Sequence, residues 1–164
     1  MRDSDHFYLK FMVKMIDVSN KEVTKRVAIA KAEVILSGKL INLIKKNKIP
    51  KGNVLQTAKL AGIMAAKKVK DIIPLCHQIN CEGINIDIKI KKNGLEIISE
   101  VIAEAKTGVE MEALLAVVSS ALTVYDMCKM IERGIKITNV MLIKKTGGKT
   151  GDYVRAKQNV IRRR

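Results

Sequence analysis

The sequence predicts an α+β fold in which an antiparallel sheet carries two helices on one face, in the ferredoxin-like order β-α-β-β-α-β. Three observations predict this fold. Residues 84–103 alternate strongly between apolar and polar, as a β-hairpin does, and helical patterns stand on either side, at 54–69 and from Thr107 onward. A further strand at each end, over 26–36 and 135–143, completes the six elements.

The hairpin is the clearest local pattern in the chain. Isoleucine occupies every second position from 84 to 90 with polar residues between, which is the period of a strand with one buried face. Asn93-Gly94 follows, a dipeptide suited to a tight turn because both residues tolerate positive φ. The alternation then resumes over 95–103, so two antiparallel strands are predicted.

Each predicted helix has its own signal. Over 54–69, apolar and small residues recur at spacings of three and four, which predicts an amphipathic helix packed closely against a sheet. Thr107 begins a T-x-x-E pattern completed by Glu110, which predicts a capping box. The helix that it opens should run to about Ile131, with Gly134 ending it.

The strands at 26–36 and 135–143 flank these elements, and together they predict one domain over 25–151. Residues 1–24 are predicted to form a mobile amino-terminal arm, and residues 152–164 a basic carboxy-terminal tail. In the last strand, the residues expected to share the buried side are Ile135, Ile137, Met141 and Ile143.

Composition favours a cytoplasmic protein with no membrane span. The 164 residues suffice for a hydrophobic core, no secretory signal is visible, and the longest apolar stretch, 113–125, is too short to cross a bilayer. Three cysteines suit a reduced compartment better than a disulfide framework.

The net charge of +15 is the strongest compositional signal. Residues 144–164 carry eight Lys or Arg against one acid, and residues 39–51 carry five lysines and no acid. An excess of this size favours an anionic partner, such as nucleic acid, a phosphorylated small molecule or an acidic protein. A solvated lysine-rich surface explains the charge equally well.

The segment "IIPLCHQINC", residues 72–81, places His77 between two cysteines. A metal site is disfavoured because Cys76, His77 and Cys81 match no paired ligand spacing. We expect no metal site and no cofactor, although a divalent ion that accompanies a phosphorylated ligand stays open. A Cys-His nucleophilic pair is also disfavoured, since adjacent side chains in an extended segment point apart. Substrate contact and simple packing both remain open for His77 at this point.

The segment "KKTGGKTGDY", residues 144–153, contains Gly-Lys-Thr but is not a P-loop, because Ile143 stands where that motif requires glycine. A glycine-rich turn with lysines at 144, 145 and 149 suits phosphate binding through backbone N–H groups and ammonium groups. A flexible basic turn is the alternative.

Acids in this basic chain stand out at Glu112 and Asp126. Both are predicted on the second long helix, about 21 Å apart along its axis and within about 40° of one face. One nucleotide-sized ligand could hardly bring both to a single reacting atom. Three alternatives follow: the two acids touch different ends of the ligand, one is structural, or the site forms between subunits.

Six segments in order resemble the cyclic pyranopterin monophosphate synthase family, also called the molybdenum cofactor biosynthesis protein C family. The resemblance runs from about Met15 to Tyr153. The segments are "MIDVSNKEVTKR", "KGNVLQTAKLAGIMAAKK", "IIPLCHQI", "TGVEMEALLAV", "YDMCK" and "KKTGGKTGDY".

The resemblance implies a lyase that converts a GTP derivative, already cyclised between ribose and base, into cyclic pyranopterin monophosphate with release of diphosphate. It further implies a homohexamer, arranged as a trimer of dimers, with sites at subunit contacts. Asp126 and Lys129 match the family's catalytic aspartate and lysine. The implied substrate-binding residues are Leu75, Cys76, His77, Met111, Glu112, Lys51, Lys67, Lys145, Asp17, Lys21 and Arg26.

Two other functions compete with this interpretation. An RNA-binding module would explain the charge, but the hairpin strands contain no Phe, Tyr or Trp for base stacking, so no specific nucleic-acid partner is expected. The second competing function is that of an oligomer that binds a nucleotide without changing it. Release of diphosphate from the cyclised GTP derivative would identify an enzyme and exclude such a binding protein.

Overall fold

The computed structural model describes residues 13–149 and 151–156. The predictions made for residues 1–12, Thr150 and 157–164 lie outside this part of the chain. The elements are, in chain order, β1 Thr24–Ile35, α1 Gly38–Lys45, α2 Val54–Ala66, α3 Val69–Ile72, β2 Gly83–Lys91, β3 Gly94–Ala105, α4 Glu110–Cys128, β4 Lys136–Thr146 and β5 Tyr153–Val154.

The strands form one sheet in the order β2-β3-β1-β4-β5, and every neighbouring pair is antiparallel. The predicted α+β class is confirmed. The narrower ferredoxin-like assignment stays a prediction, because the structure adds α1, α3 and β5 to the six expected elements. Of these, β5 lies within the segment that we predicted as a tail and pairs through Tyr153 with Lys145 on β4.

The core lies between one face of the sheet and the pair of helices α2 and α4. Alternate residues of β1 and β3 are buried, and α4 packs over β1, β3 and β4 while α2 packs on α4 and β2. Glycine at 62 permits the close approach of the helices, since a Cβ there would overlap the Ser120 hydroxyl and the Ile86 side chain. Ser120 Oγ in turn donates a 2.9 Å hydrogen bond to the Ala58 carbonyl.

By length and composition alone, the 19-residue α4 could cross a bilayer. Half of its 18-residue apolar window is buried inside the protein. Its buried residues are nevertheless the centre of this core, among them Ala113, Val117, Ala121 and Val124. Packing against the sheet and α2 therefore accounts for its apolar character.

Three features of the predicted helices are wrong. The capping box at Thr107 does not form, because the helix begins at Glu110 with Val109 as its N-cap and no side-chain cap. The helix also ends at Cys128, short of Ile131. Where one helix was predicted over 54–69, the structure has two: α2 ends at Ala66, and the short α3 begins at Val69.

The buried side of β4 also differs from the prediction. Register shifts opposite β1 show two bulges, and Asn139 has a positive φ of 52°. Ile137 and Leu142, five residues apart, therefore pair with Val34 and Ala30, four residues apart on β1. Leu142 packs against the core in place of the predicted Met141, because each extra residue reverses which side faces inward.

Candidate functional site

The predicted site residues fall into two groups, at opposite ends of α4. Asp126 and Lys129 lie at its carboxy-terminal end together with Lys51. Most of the others lie near its amino-terminal end and line three neighbouring cavities. The helix separates Glu112 from Asp126 by about 21 Å, as the spacing predicted.

Lys51, Asp126 and Lys129 form the Asp126 cluster. The Lys51 ammonium lies 2.7 Å from Asp126 Oδ2, and the Lys129 ammonium lies 2.7 Å from Asp126 Oδ1. Lys51 also donates a 3.2 Å hydrogen bond to the Asp126 carbonyl. Each carboxylate oxygen therefore has its own ammonium partner, and the cluster carries a net positive charge.

Local backbone structure places these three side chains together. Lys51 stands in a turn closed by the bond from Gly52 N to the Ile49 carbonyl, 2.9 Å, where Gly52 adopts a φ of 101° that favours glycine. Lys129 is the C-cap of α4, and its N–H donates to the Tyr125 carbonyl at 2.9 Å. The spacing of three residues then brings Lys129 over Asp126.

The cluster is poised with both partners charged. Hydrogen bonds first from Lys129 and then from Lys51 lower the pKa of Asp126 to about 2, and the Asp126 carboxylate raises the pKa of Lys129. In this arrangement Lys129 can donate a proton or stabilise a developing negative charge. Asp126 becomes a stronger base only if an ammonium moves away.

The largest cavity at the other end, here called the basic cavity, has a volume of about 480 Å³. It lies where β1, the end of β4 and the amino terminus of α4 meet. The amino terminus of α4 has no side-chain cap, and Glu110 in its first turn lines the cavity. Its charged lining is five cations and two carboxylates: Lys21, Arg26, Lys106, Lys145, Lys149, Glu22 and Glu110.

Arg26 is the fixed cation of the basic cavity. Only 8% of it is exposed, and it donates 3.1 Å hydrogen bonds to the carbonyls of Ala105 and Lys106. The glycine-rich turn packs on it, because a Cβ at Gly148 would overlap the Arg26 guanidinium. Gly147 and Gly148 both have φ of 90°, a conformation that keeps this backbone close to the cation.

The second cavity, here called the histidine cavity, has a volume of about 430 Å³ and is lined by Cys76, His77, Asn80 and Lys106, among others. His77 Nε2 lies 2.8 Å from the Ile16 carbonyl. Because a carbonyl only accepts, Nε2 carries the proton in this contact.

The third cavity is smaller, about 140 Å³, and contains Glu112 together with Lys67 and Asn80. Glu112 is 3% exposed, and burial raises its pKa. A buried carboxyl beside a cavity is a specific acceptor for N–H groups of a ligand. Asn80 lines this cavity and the histidine cavity, so the two adjoin.

The cysteines do not support a nucleophile or a metal. Burial, with a smaller contribution from Glu112, raises the pKa of Cys76, and it raises the pKa of Cys81 to about 11. Both are therefore thiols at neutral pH. Within the described ranges, no three His, Cys, Asp or Glu side chains are grouped as metal ligands would be.

The remaining predicted residues are not among those that line the three cavities. Asp17 accepts hydrogen bonds from Ser19, Leu75 is 45% exposed, and Met111 is half-buried in the first turn of α4. Sequence reasoning missed Asn80 and Lys106, each of which lines two of the cavities. The only signal for Lys106 was its place directly before the segment "TGVEMEAL".

Comparison with known proteins agrees with these motifs. The model of the MoaC family matches residues 15–148. A protein of Peptoclostridium acidaminophilum named cyclic pyranopterin monophosphate synthase is 46% identical over 142 residues, 87% of this chain and 90% of its own length. Proteins of the same name from Streptomyces avermitilis and Bacillus thuringiensis are 46% and 44% identical, over 87% and 94% of this chain and 84% and 99% of their own lengths. The chain therefore belongs to the MoaC family.

Proposed function

We propose that this chain is a cyclic pyranopterin monophosphate synthase, a lyase that acts early in molybdenum cofactor biosynthesis. It converts a GTP derivative, cyclised between ribose and base, into cyclic pyranopterin monophosphate and releases diphosphate. The observation that carries this proposal is the combination of a cation-lined cavity of about 480 Å³ with an aspartate held between two lysines. Family membership supports the same reaction.

The chemistry of the substrate suits the cavities. A triphosphate favours several Lys or Arg groups, since charge-assisted hydrogen bonds to phosphate are strong, and the basic cavity presents Arg26, Lys21 and Lys145. The buried carboxyl of Glu112 suits the N–H groups of a guanine-derived ring. Cations around the phosphates also stabilise the charge that grows on the departing diphosphate.

The Asp126 cluster supplies the groups that move protons. Rearrangement of the ring requires repeated proton transfer, and a carboxylate 2.7 Å from an ammonium is an acid–base pair whose members shift each other's pKa. Lys129 is the protonated member and hence the proton donor of this pair; pairing with Asp126 raises its pKa, so it becomes a stronger acid once Asp126 is protonated. Asp126 accepts once substrate phosphate attracts Lys51 away from it.

The complete site is shared between protomers. Reacting atoms must lie within about 3–3.5 Å of one another, whereas α4 holds the Asp126 cluster and Glu112 about 21 Å apart in one chain. We propose that a neighbouring chain brings its cluster to the cavities, which is the arrangement that the family resemblance implies. A homohexamer built as a trimer of dimers provides such contacts, each dimer having two equivalent sites.

We further propose that the protein works in the cytoplasm without a resident metal or organic cofactor. The spacing of Cys76, His77 and Cys81 suits no common metal site, and every step assigned above uses side chains of the chain itself. Purified protein, dialysed free of small molecules, should form product without added organic cofactor; a strict requirement for one would refute this part.

Incubation with the cyclised GTP derivative tests the activity directly. Diphosphate is measured by a coupled assay, and the product is detected as a fluorescent pterin after oxidation. We expect Asp126→Asn and Lys129→Ala to lose at least about a hundredfold in kcat, the usual effect of removing an acid–base group. Their circular dichroism and oligomer size should match the parent. Parent-like turnover by either variant would refute its assigned role.

A further inference from the structure

Lys106 is the charged side chain that lines both the basic cavity and the histidine cavity. It directly follows β3, and its carbonyl accepts a 3.1 Å hydrogen bond from Arg26 Nη2. The backbone of Lys106 is therefore fixed to the buried cation of the basic cavity. None of the roles assigned above involves its ammonium group.

The Lys106 ammonium is held by a neutral partner. It donates a 2.8 Å hydrogen bond to the Ser19 carbonyl, and no ion pair within residues 13–149 and 151–156 includes it. An ammonium has three N–H donors. One suffices for the Ser19 carbonyl, so the others are available to an anion in the cavity.

Ser19 belongs to the segment 13–23, here called the strap. Two side chains from the body of the protein hold the strap through its carbonyls: Lys106 at Ser19 and His77 at Ile16. The strap also contributes Lys21 to the lining of the basic cavity. A polyanion in that cavity therefore lies beside one cation from the strap and several from the body.

We propose that Lys106 binds the polyphosphate of the substrate while keeping its bond to the Ser19 carbonyl, so that one ammonium connects ligand and strap. This inference rests on the proposed function, since it assigns a further residue to the same substrate. Phosphate oxygens are far stronger acceptors for an ammonium than a carbonyl is. Because the phosphate takes N–H donors that the Ser19 carbonyl leaves unused and lies beside Lys21 as well, the bound ligand connects the strap to the body of the protein through both lysines.

Inorganic triphosphate is the probe, because it binds without being converted. Its dissociation constant is measured by calorimetry at low and at physiological salt, and hydrogen exchange of residues 13–23 is followed with and without it. The variants are Lys106→Met, Lys106→Arg as the charge-conserving rescue, and Lys92→Met as the matched control. Lys92 is exposed in the turn before β3, roughly 40 Å from Lys106 along a strand of 12 residues.

We expect triphosphate to slow exchange in the strap of the parent and of Lys92→Met. In Lys106→Met the dissociation constant should rise about tenfold or more, the unliganded strap should exchange faster, and triphosphate should protect it less. Lys106→Arg should recover most of the affinity, because the charge remains.

Two results would overturn the proposal. One is Lys106→Met with the triphosphate affinity of Lys92→Met, which would leave Lys106 a purely structural tie for the strap. The other is a parent that binds triphosphate without added protection of the strap. Turnover of the cyclised GTP derivative distinguishes this proposal from the proposed function. If the parent converts this substrate while Lys106→Met keeps the parental affinity for triphosphate, only the role of Lys106 is refuted. If the parent does not convert the substrate but its affinity for triphosphate depends on Lys106, the proposed enzymatic function is refuted.

Discussion

Mixing two inactive variants tests whether the site is shared between protomers. Asp126→Asn disables the carboxy-terminal end of α4, and Lys145→Glu places a carboxylate in the basic cavity, where it repels polyphosphate. In a dimer of one chain of each kind, one site receives both substitutions and the other receives neither. Random exchange makes half of the dimers mixed, so about one quarter of the sites regain full activity.

The assay combines differently tagged variants, exchanges their subunits in mild denaturant, and measures pterin formation against the fraction of mixed oligomer found by native mass spectrometry. Asp126→Asn mixed with Lys129→Ala is the matched control. Both of these substitutions lie at the same end of α4, so every site of the mixed dimer keeps one of them and activity should stay absent. No recovery in the first mixture, despite mixed oligomers, would show that each chain builds its own site.

Two further predictions concern stability. Gly62→Ala should lower the free energy of unfolding by about 1–2 kcal/mol, because the new methyl group overlaps Ser120 and the Ala116 carbonyl, an overpacking cost larger than the roughly 1 kcal/mol that alanine gains over glycine in a helix. Urea denaturation should show no such loss for Gly38→Ala, which meets nothing within 4 Å; a parent-like Gly62→Ala would refute the close contact. Glu112→Gln should gain stability relative to the parent as pH rises. Burial raises the pKa of Glu112 in the native state above its ordinary value of 4.5. The parent therefore keeps its full stability below pH 4.5 and loses part of it as pH rises through the native pKa, whereas the Gln variant does not titrate there. A difference between the two unfolding free energies that stays constant from pH 4 to pH 8 would contradict the raised pKa.

The hairpin was predictable because its period depends only on which side faces the core. Its turn was predicted less accurately: Lys91 pairs with Gly94, so the connecting residues are Lys92 and Asn93. Gly94 is required for another reason, since a Cβ there would overlap the Val34 carbonyl on β1. That requirement comes from a strand distant in sequence, which local turn preferences do not include.

The error in β4 has the same kind of cause. Alternation within the strand could be read from the sequence, but the bulges depend on what β1 presents opposite. Asn139, at the positive φ, donates a 2.6 Å hydrogen bond to Glu33, and Glu33 also pairs with Lys31. A network that joins residues about a hundred positions apart in the chain leaves no local pattern to detect.

The candidate site divides in the same way. Helical geometry predicted the separation of Glu112 and Asp126, because the rise per residue is fixed. It could not predict that Lys51 lies with Asp126 instead of in the cavities, since a turn at Gly52 brings it there. The position of Lys106 between two cavities was not predicted, because in the sequence a lysine beside a motif cannot be distinguished from any other surface lysine.

The charge of the Asp126 cluster connects these two ends of α4. A carboxylate with an ammonium on each oxygen has a pKa of about 2 and is a poor base at neutral pH. In the shared site that we propose, its net positive charge attracts the polyanion that the basic cavity of a neighbouring protomer binds. Once a phosphate draws Lys51 away, the pKa of Asp126 rises toward its ordinary value while Lys129 stays within reach. We therefore expect arrival of the substrate to make Asp126 able to accept a proton, whereas in the empty cluster both groups stay charged.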